Sequence, residues 1–357
     1  MTGQGHALIA VIVLGFCCLG AIAIDESLSG EQQSTAETGH RDESPHTVHF
    51  VTVDSNIKLE VLDWGGSGRA IVLLAGLGNT AHVFDDFAPK LTGTYHVYGI
   101  TRRGFGNSSS PRGTPKNYSA DRLGDDVFAV IRSLGLKRPV LVGHSIAGEE
   151  LSDIGTRHPE MVGALVYLDA AYSYAFYDPS RGDLILDSIE LRDKLDELIP
   201  GRETTDRKHV YEDLLVMLPR FENELHVHQQ ELRTVPEPLE SAMPKIEEEI
   251  VAGERRFAGT TVPTLAIFAF PHDLGSAFKN NPIAQAAAEK ADQSWTGAQI
   301  RFIESKYPSI RLVCIPHASH FVFQSNEADV LHDMSFFIHG LNVEKASATT
   351  IRGRAVR

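Results

Sequence analysis

The amino-acid sequence predicts an α/β protein: a mostly parallel central sheet with helices on both faces and a helical cap inserted between two of the strands. Three observations lead there. Short solid apolar runs, the pattern of strands buried on both faces, recur along the chain. Helical stretches alternate with them, the order that builds a parallel sheet. One long interval, from about Tyr172 to Ala258, breaks the alternation with polar, Glu-rich sequence.

Residues 1–24 read as an address. Ala7 to Ile24 carries no charge and is close to the length that spans a bilayer. Ala21-Ile22-Ala23 offers the small residues of a signal-peptidase site, so export to a periplasmic or extracellular space is expected. The first six residues contain no Lys or Arg, which leaves an uncleaved membrane anchor as the rival reading. Residues 25–45 hold few large apolar side chains. Burial there cannot offset the entropy of ordering, so a disordered linker is expected.

The core is expected over 46–171 and 259–342. Val48–Val53 and Ile57–Leu62 pattern as a hairpin around the turn Asp54-Ser55-Asn56. Buried strands follow at Ala70–Ala75, His96–Ile100, Pro139–Val142, Ala164–Leu168, Thr264–Phe270 and Ile310–Ile315. Helices are expected at Val83–Leu91, Ala120–Leu134, Glu149–Arg157, Ala284–Ile303 and Glu327–Ile338. Within the cap, 172–258, the segments Glu190–Ile199 and Lys245–Val251 space their apolar residues as helices do. An insertion of this size either lies over the C-terminal ends of the strands or pads the outside of the fold. Residues 343–357, mildly basic, are expected to form a loose tail.

Charge and cysteine content narrow the functional classes. The 357 residues carry 33 Lys+Arg against 47 Asp+Glu, a net charge of −14. Nucleic-acid binding rests on basic patches, so a nucleic-acid partner is not expected. Cys17 and Cys18 lie in the N-terminal apolar run, and only Cys314 lies in the body. The body therefore has no intramolecular disulfide, and a Cys-rich zinc site is excluded. His226 and His228, two apart on a helix, point to different faces and read as solvated surface rather than metal ligands. Tyr172, Tyr174, Phe176 and Tyr177, at the entry to the cap, suit either a cap-anchoring core or substrate contacts.

The sharpest motif is Val140-Leu141-Val142-Gly143-His144-Ser145-Ile146-Ala147-Gly148-Glu149, an apolar strand that runs through a tight turn into a helix. Such a turn holds one side chain, Ser145, exposed and strained at a helix N-terminus. The residues two before and two after it must be small, because strand and helix pack closely there. Gly143 and Ala147 meet that demand. The plain alternative is that Ser145 is a helix N-cap.

This run resembles the G-x-S-x-G elbow of the α/β-hydrolases, in their capped esterase-like branch, with Ala147 in place of the last Gly. The resemblance covers about residues 46–342. By the family's chain order an acid and then a histidine follow the serine. Pro271-His272-Asp273 stands where the acid is expected, and His317-Ala318-Ser319-His320-Phe321 resembles the histidine loop. The resemblance thus implies Ser145 as nucleophile, His320 as base and Asp273 as the carboxylate that orients it. His317 is the alternative base. Asp169, which closes the run Ala164–Leu168, is the alternative acid, and it also reads as a hydrogen-bond partner for a nearby loop or the cap. An oxyanion hole is implied from the backbone N–H groups of Ile146 and Leu77, with Ala75-Gly76 replacing the family's usual His-Gly. His144 reads as packing beside the nucleophile. The segment from Thr101 to Ser108 resembles the family's D-x-R-G-x-G-x-S turn, with Thr101 for Asp, and reads as structural.

The implied function is hydrolysis of a carboxylic ester or related acyl bond in a small molecule, through an acyl-enzyme on Ser145, with no cofactor and no metal. A serine nucleophile argues against epoxide hydrolase and haloalkane dehalogenase chemistry, which need a carboxylate. Perhydrolase and C–C hydrolase chemistries use the same triad and stay open. So do a non-catalytic ligand-binding protein on this fold and a protein that docks partners through its acidic cap.

Overall fold

The computed structural model describes residues 45–201, 206–232, 244–275 and 281–354. The expected signal peptide or anchor at 1–24, and all of the expected linker except Pro45, lie outside them. Among the described residues no helix is long and apolar enough to cross a membrane.

The chain enters through the hairpin of β1 (Thr47–Asp54) and β2 (Ile57–Gly66), whose turn places Asn56 at φ +63. Six further strands follow: β3 (Ala70–Leu74), β4 (His96–Ile100), β5 (Val140–His144), β6 (Ala164–Leu168), β7 (Thr264–Ala269) and β8 (Arg311–Ile315). They form one eight-stranded sheet in the order β1-β2-β4-β3-β5-β6-β7-β8. The pairs β1–β2 and β2–β4 are antiparallel, and all the others are parallel. All strands from β3 onward therefore end at the same edge, the edge where open α/β sheets place their ligand sites.

The solid apolar runs split by parity, because successive side chains on a strand point to opposite faces. Val72, Leu74, Leu141, Leu165, Tyr167, Ala266 and Phe268 join one core with Val127, Ile131, Leu151 and Ile303. Those last four come from the helices Ala120–Ser133, Ala147–Arg157 and Pro282–Lys306. Ile71, Leu73, Val140, Val142, Val166, Leu168, Leu265 and Ile267 join the other, with Phe84, Phe87, Phe323, Val330 and Met334. Each such side chain, fully buried, contributes about 1.5–3 kcal/mol. Apolar burial on both faces is what makes these runs continuous rather than alternating.

One expectation needs correction. Val83–Leu91 is not one helix but two 3₁₀ turns, Ala81–Phe84 and Ala88–Leu91. Pro89 has no N–H to continue an α-helical ladder from the first turn. The last helix runs Glu327–Arg354, into the segment expected to form a loose tail. Its residues after Leu341 include Glu344, Lys345, Ala346 and Ala348, good helix formers, and no Pro.

Between β6 and β7 the described residues form the helices Leu184–Asp196, Arg207–Leu232 and Lys245–Val251. The first is capped by Asp183, whose carboxylate accepts from the Ile185 and Leu186 N–H groups at 3.1 Å. Leu191, Val210, Leu214 and Met217 give the first two a small core of their own. The third reaches the loops at the sheet edge: Ile246 packs on Gly104 and the Glu247 carboxyl on Gly78.

Candidate active site

Ser145 sits between β5 and the helix Ala147–Arg157, at φ +54, a left-handed conformation that few non-glycine residues adopt. The turn is held from both sides. The Ser145 N–H donates to the Leu168 carbonyl at 3.3 Å, and the Ser145 carbonyl accepts from the Gly148 N–H at 2.9 Å. The glycine that matters at this turn is Gly148 rather than position 147. A Cβ at Gly148 would overlap the Ala170 carbonyl oxygen, whereas the Ala147 methyl is accommodated with full burial.

His320 follows β8, and its Nδ1 lies 2.7 Å from Asp169 Oδ2. Asp169, directly after β6, is fully buried and also at positive φ, +47. Its carboxylate is saturated. Oδ1 accepts from the Tyr172 hydroxyl at 2.7 Å and the Ala269 N–H at 3.1 Å, and Oδ2 faces both His320 Nδ1 and His272 Nε2, the latter at 2.9 Å. Burial by itself would favour the neutral acid. The charge and hydrogen bond of His272, with those of His320, outweigh it and hold Asp169 well below the usual carboxylate range. Burial and the adjacent Asp169 charge push the Tyr172 hydroxyl well above its ordinary value, so it remains a donor.

Asp273, the acid implied by resemblance, is not beside His320. Its side chain is exposed and accepts from the Gly275 N–H at 2.9 Å. After β7 the chain lies beside the segment after β8, held by hydrogen bonds from Phe270 N–H to Ile315, His317 N–H to Pro271 and Asp273 N–H to Ala318. The His272 side chain is buried at the site, 6% exposed, while that of Asp273 faces outward. His317, the alternative base, is exposed as well.

His144 ties the serine turn to the histidine loop. Its Nε2 lies 3.1 Å from the His320 carbonyl, and its ring sits 4.6 Å from the His320 ring and 4.7 Å from Phe321. Burial, helped by the neighbouring His320, lowers it to about 3. His144 is therefore a neutral donor that holds the backbone of His320.

The loop after β3 abuts the same turn. A Cβ at Gly76 would come within 3.1 Å of Ser145 Cβ and 2.9 Å of His144 Nδ1, so a side chain there would displace the serine. Arg102, buried after β4, clamps this loop. Its Nη2 donates to the Ala75 carbonyl at 3.0 Å and its Nη1 to the Gly76 carbonyl at 3.4 Å, while Nε and Nη2 form a bidentate pair with Glu150 at 2.8 Å each. In a trans peptide the N–H points opposite the C=O. Fixing the Gly76 carbonyl, which also accepts from Asn79 N–H at 3.3 Å, therefore aims the Leu77 N–H away from Arg102. The Ile146 N–H lies at the start of the helix Ala147–Arg157, where backbone donors lack intrahelical acceptors. Both expected oxyanion donors thus belong to backbone anchored around Ser145.

The rest of the Thr101–Ser108 turn is structural scaffolding. Thr101 donates to Glu60 at 2.8 Å, and Arg103 pairs bidentately with Asp126 at 2.6 Å. Two groups of described residues gather three metal-type donors within 4.8 Å: Asp169, His272 and His320, and His46, His82 and Asp85. In the first, the N···O separations of 2.7 and 2.9 Å are those of direct hydrogen bonds. His226 is exposed and bridges to Glu222, in keeping with a solvated helix face.

A family model described as the alpha/beta hydrolase family matches residues 71–333, from β3 to the helix beyond β8. The chain belongs to the alpha/beta hydrolase family. Among curated relatives of this family member, a fluoroacetate dehalogenase from Burkholderia sp is 36% identical over 116 residues, 32% of this chain and 38% of the relative. A putative carbamate hydrolase from Caulobacter segnis is 34% identical over 119 residues, 33% of this chain and 44% of that protein. The aligned stretches span less than half the length of these relatives. Among solved structures, E-2-(acetamidomethylene)succinate hydrolase superposes with a TM-score of 0.51 at 21% identity, covering 82% of this chain and 99% of that one. A thermophilic esterase from Thermogutta terrifontis does so with a TM-score of 0.51 at 17% identity, covering 83% and 99%. At these identities the likeness is one of fold.

Sequence reasoning did not find the roles of His272, Asp292 and Arg102 in this cluster. For Asp169 a signal existed: a carboxylate that closes a wholly apolar strand must be buried at its end, and a buried carboxylate needs partners.

Proposed function

We propose that the chain is a serine hydrolase that cleaves a carboxylic ester, or a related acyl bond, in a small-molecule substrate. Ser145 is the nucleophile, His320 the general base and then acid, and Asp169 the carboxylate that orients it. The observation that carries this reading is the 2.7 Å contact between His320 Nδ1 and buried Asp169, together with a serine at positive φ on a strand–helix turn whose neighbour His144 lies 4.6 Å, ring to ring, from His320.

The chemistry follows from the parts. A serine hydroxyl is a poor nucleophile until an imidazole takes its proton. The His320 Nδ1–H bond to Asp169 leaves Nε2 as the basic nitrogen and stabilises the imidazolium that forms. As Ser145 Oγ attacks the carbonyl carbon, its proton passes to His320 Nε2 and negative charge builds on the carbonyl oxygen. The Leu77 and Ile146 N–H groups support that oxyanion. Collapse expels the alcohol, which takes the proton from His320, and water then releases the acyl group by the same route.

The nucleophile argues against carbon–halogen or epoxide opening. Displacement by Ser145 at an alkyl carbon would leave an ether on the enzyme, which water does not release. Attack at an acyl carbon leaves an ester, which it does. The test is labelling of the full chain by a fluorophosphonate probe, with turnover of short p-nitrophenyl esters, beside Ser145→Ala. Labelling and turnover confined to the wild type are expected; a folded wild type that does neither overturns the proposal.

A further inference from the structure

The carboxylate at the centre of the site has a second histidine on the same oxygen that faces His320, and that histidine has a second carboxylate behind it. His272 Nε2 lies 2.9 Å from Asp169 Oδ2, its Nδ1 lies 2.7 Å from Asp292 Oδ1, and its backbone N–H donates to Asp292 Oδ2 at 2.9 Å. The three side chains are almost wholly shielded from solvent, at 6% for His272, 1% for Asp292 and none for Asp169. Asp292 comes from the helix Pro282–Lys306, His272 from the turn after β7 and Asp169 from the end of β6. Three elements therefore build one chain, Asp292–His272–Asp169–His320.

Both ring nitrogens of His272 face carboxylate oxygens, and a carboxylate can only accept. Both nitrogens must carry protons for both contacts to be hydrogen bonds, which makes the ring an imidazolium. Burial alone would discharge it, but the flanking Asp169 and Asp292 charges and hydrogen bonds raise it to about 10. Among the described residues, the other titratable groups facing this chain are Tyr172, whose hydroxyl lies 3.4 Å from His272 Nε2, and His144, against the His320 ring. Tyr172 is held protonated and His144 neutral, so neither adds charge.

We propose that His272 is a positioning residue for the base: a permanent cation, anchored by Asp292, that locks the Asp169 carboxylate and offsets part of its charge toward His320. The inference rests on the proposed triad. The locking is geometric, since Asp169 meets four donors, on Tyr172, Ala269, His272 and His320, and cannot rotate without losing some. The offset is electrostatic. Two buried carboxylates with one imidazolium present a single net negative charge to His320. An uncompensated carboxylate pair would present two negative charges to His320 and favour its charged form more strongly.

The test uses the full chain. His272→Gln keeps a neutral donor toward Asp169 and removes the charge. With donor nitrogens of His272 and His320 within 4.8 Å of each other at Asp169, the acid limb of the fluorophosphonate labelling rate should move up by about two to three pH units. A merely structural role would lower the rate without moving the limb. Independently of turnover, imidazole ¹⁵N NMR of the wild type should show both His272 nitrogens protonated at pH 8. In Asp292→Asn the His272 resonance should titrate at lower pH than in the wild type, and circular dichroism checks that each variant is folded. A neutral His272 in the wild type at pH 7, or a labelling limb unmoved or lowered in folded His272→Gln, overturns the inference. A wild type that is not labelled at all refutes the triad instead, and the NMR result still decides the charge on His272.

Discussion

Exchanging one atom of Asp169 tests the acid of the triad more sharply than deleting the side chain. Asn tolerates the left-handed backbone that Asp169 adopts at φ +47, so Asp169→Asn keeps the turn. Its hydrogen-bonding pattern is wrong whichever way the amide is turned. With the amide oxygen toward Tyr172 and Ala269, its NH₂ meets the N–H groups of His272 and His320; turned over, the NH₂ meets the Ala269 N–H. Each arrangement leaves buried donors facing donors. The cheapest relief is for His320 to move its proton to Nε2, the nitrogen that must be bare to receive the serine proton. A wrong tautomer at this position lowers turnover by about 10⁴, which corresponds to about 5.4 kcal/mol of transition-state stabilisation. Asp273→Asn, exposed and bonded only locally to Gly275, should stay within about twofold of wild type, the ordinary range for a surface change. The assay is the initial rate on p-nitrophenyl butyrate and the fluorophosphonate labelling rate for both variants, with folding checked by circular dichroism. A large loss in Asp273→Asn together with near-normal rates in Asp169→Asn would refute the assignment.

The Arg102 clamp predicts a coupled loss. Arg102→Met should lower kcat/KM by freeing the Ala75 and Gly76 carbonyls, and should cost about 3–5 kcal/mol of stability in urea melts because Glu150 is left buried and unpaired. Arg102→Met with Glu150→Leu should recover most of the stability but not the activity; equal recovery of both would remove the loop from the argument. Glu149 predicts a pH-dependent gain. Both of its carboxyl oxygens are buried without a hydrogen-bond partner among the described residues, and burial together with Glu254 raises it well above its ordinary 4.5. The folded state thus holds a proton that the unfolded chain has lost, so this contribution to stability falls as pH rises from about 4.5 through the folded value. Glu149→Gln should be more stable than wild type by about 1–3 kcal/mol at pH 8, with the difference shrinking toward pH 4; a difference independent of pH would show that the carboxyl is not neutral in the fold.

Much of this architecture was legible without coordinates. The runs Ala70–Leu74, Ala164–Leu168 and Thr264–Ala269 are strands because they are apolar on both parities, and only a strand between two packed layers needs that. Ser145 was legible because a strand, a tight turn and a helix with small flanking residues form one local unit. His320 was placed through the resemblance of His317–Phe321 to the family's histidine loop, a short segment between β8 and a helix. Val83–Leu91 was misread because its apolar spacing suits a helix while Pro89 ends the ladder. Which carboxylate lies beside His320 was not legible, because Pro271-His272-Asp273 offers two titratable neighbours and sequence does not tell which faces inward.

The sequence by itself determined the layers of the sheet, the strand–turn–helix that strains Ser145, and the chemical types available at the strand ends. Those are short-range properties, written in periodicity and in steric limits on a few consecutive residues. Tertiary structure alone decided which carboxylate meets His320. Asp169 and His320 are 151 residues apart in sequence and follow strands β6 and β8, which are separated in the sheet by β7. Their meeting depends on how far each turn carries its side chain past the sheet edge, and on His272 filling the inward place after β7. The charge on His272 was decided the same way, since an imidazole is held as a cation only when two carboxylates from different elements close on it out of reach of water.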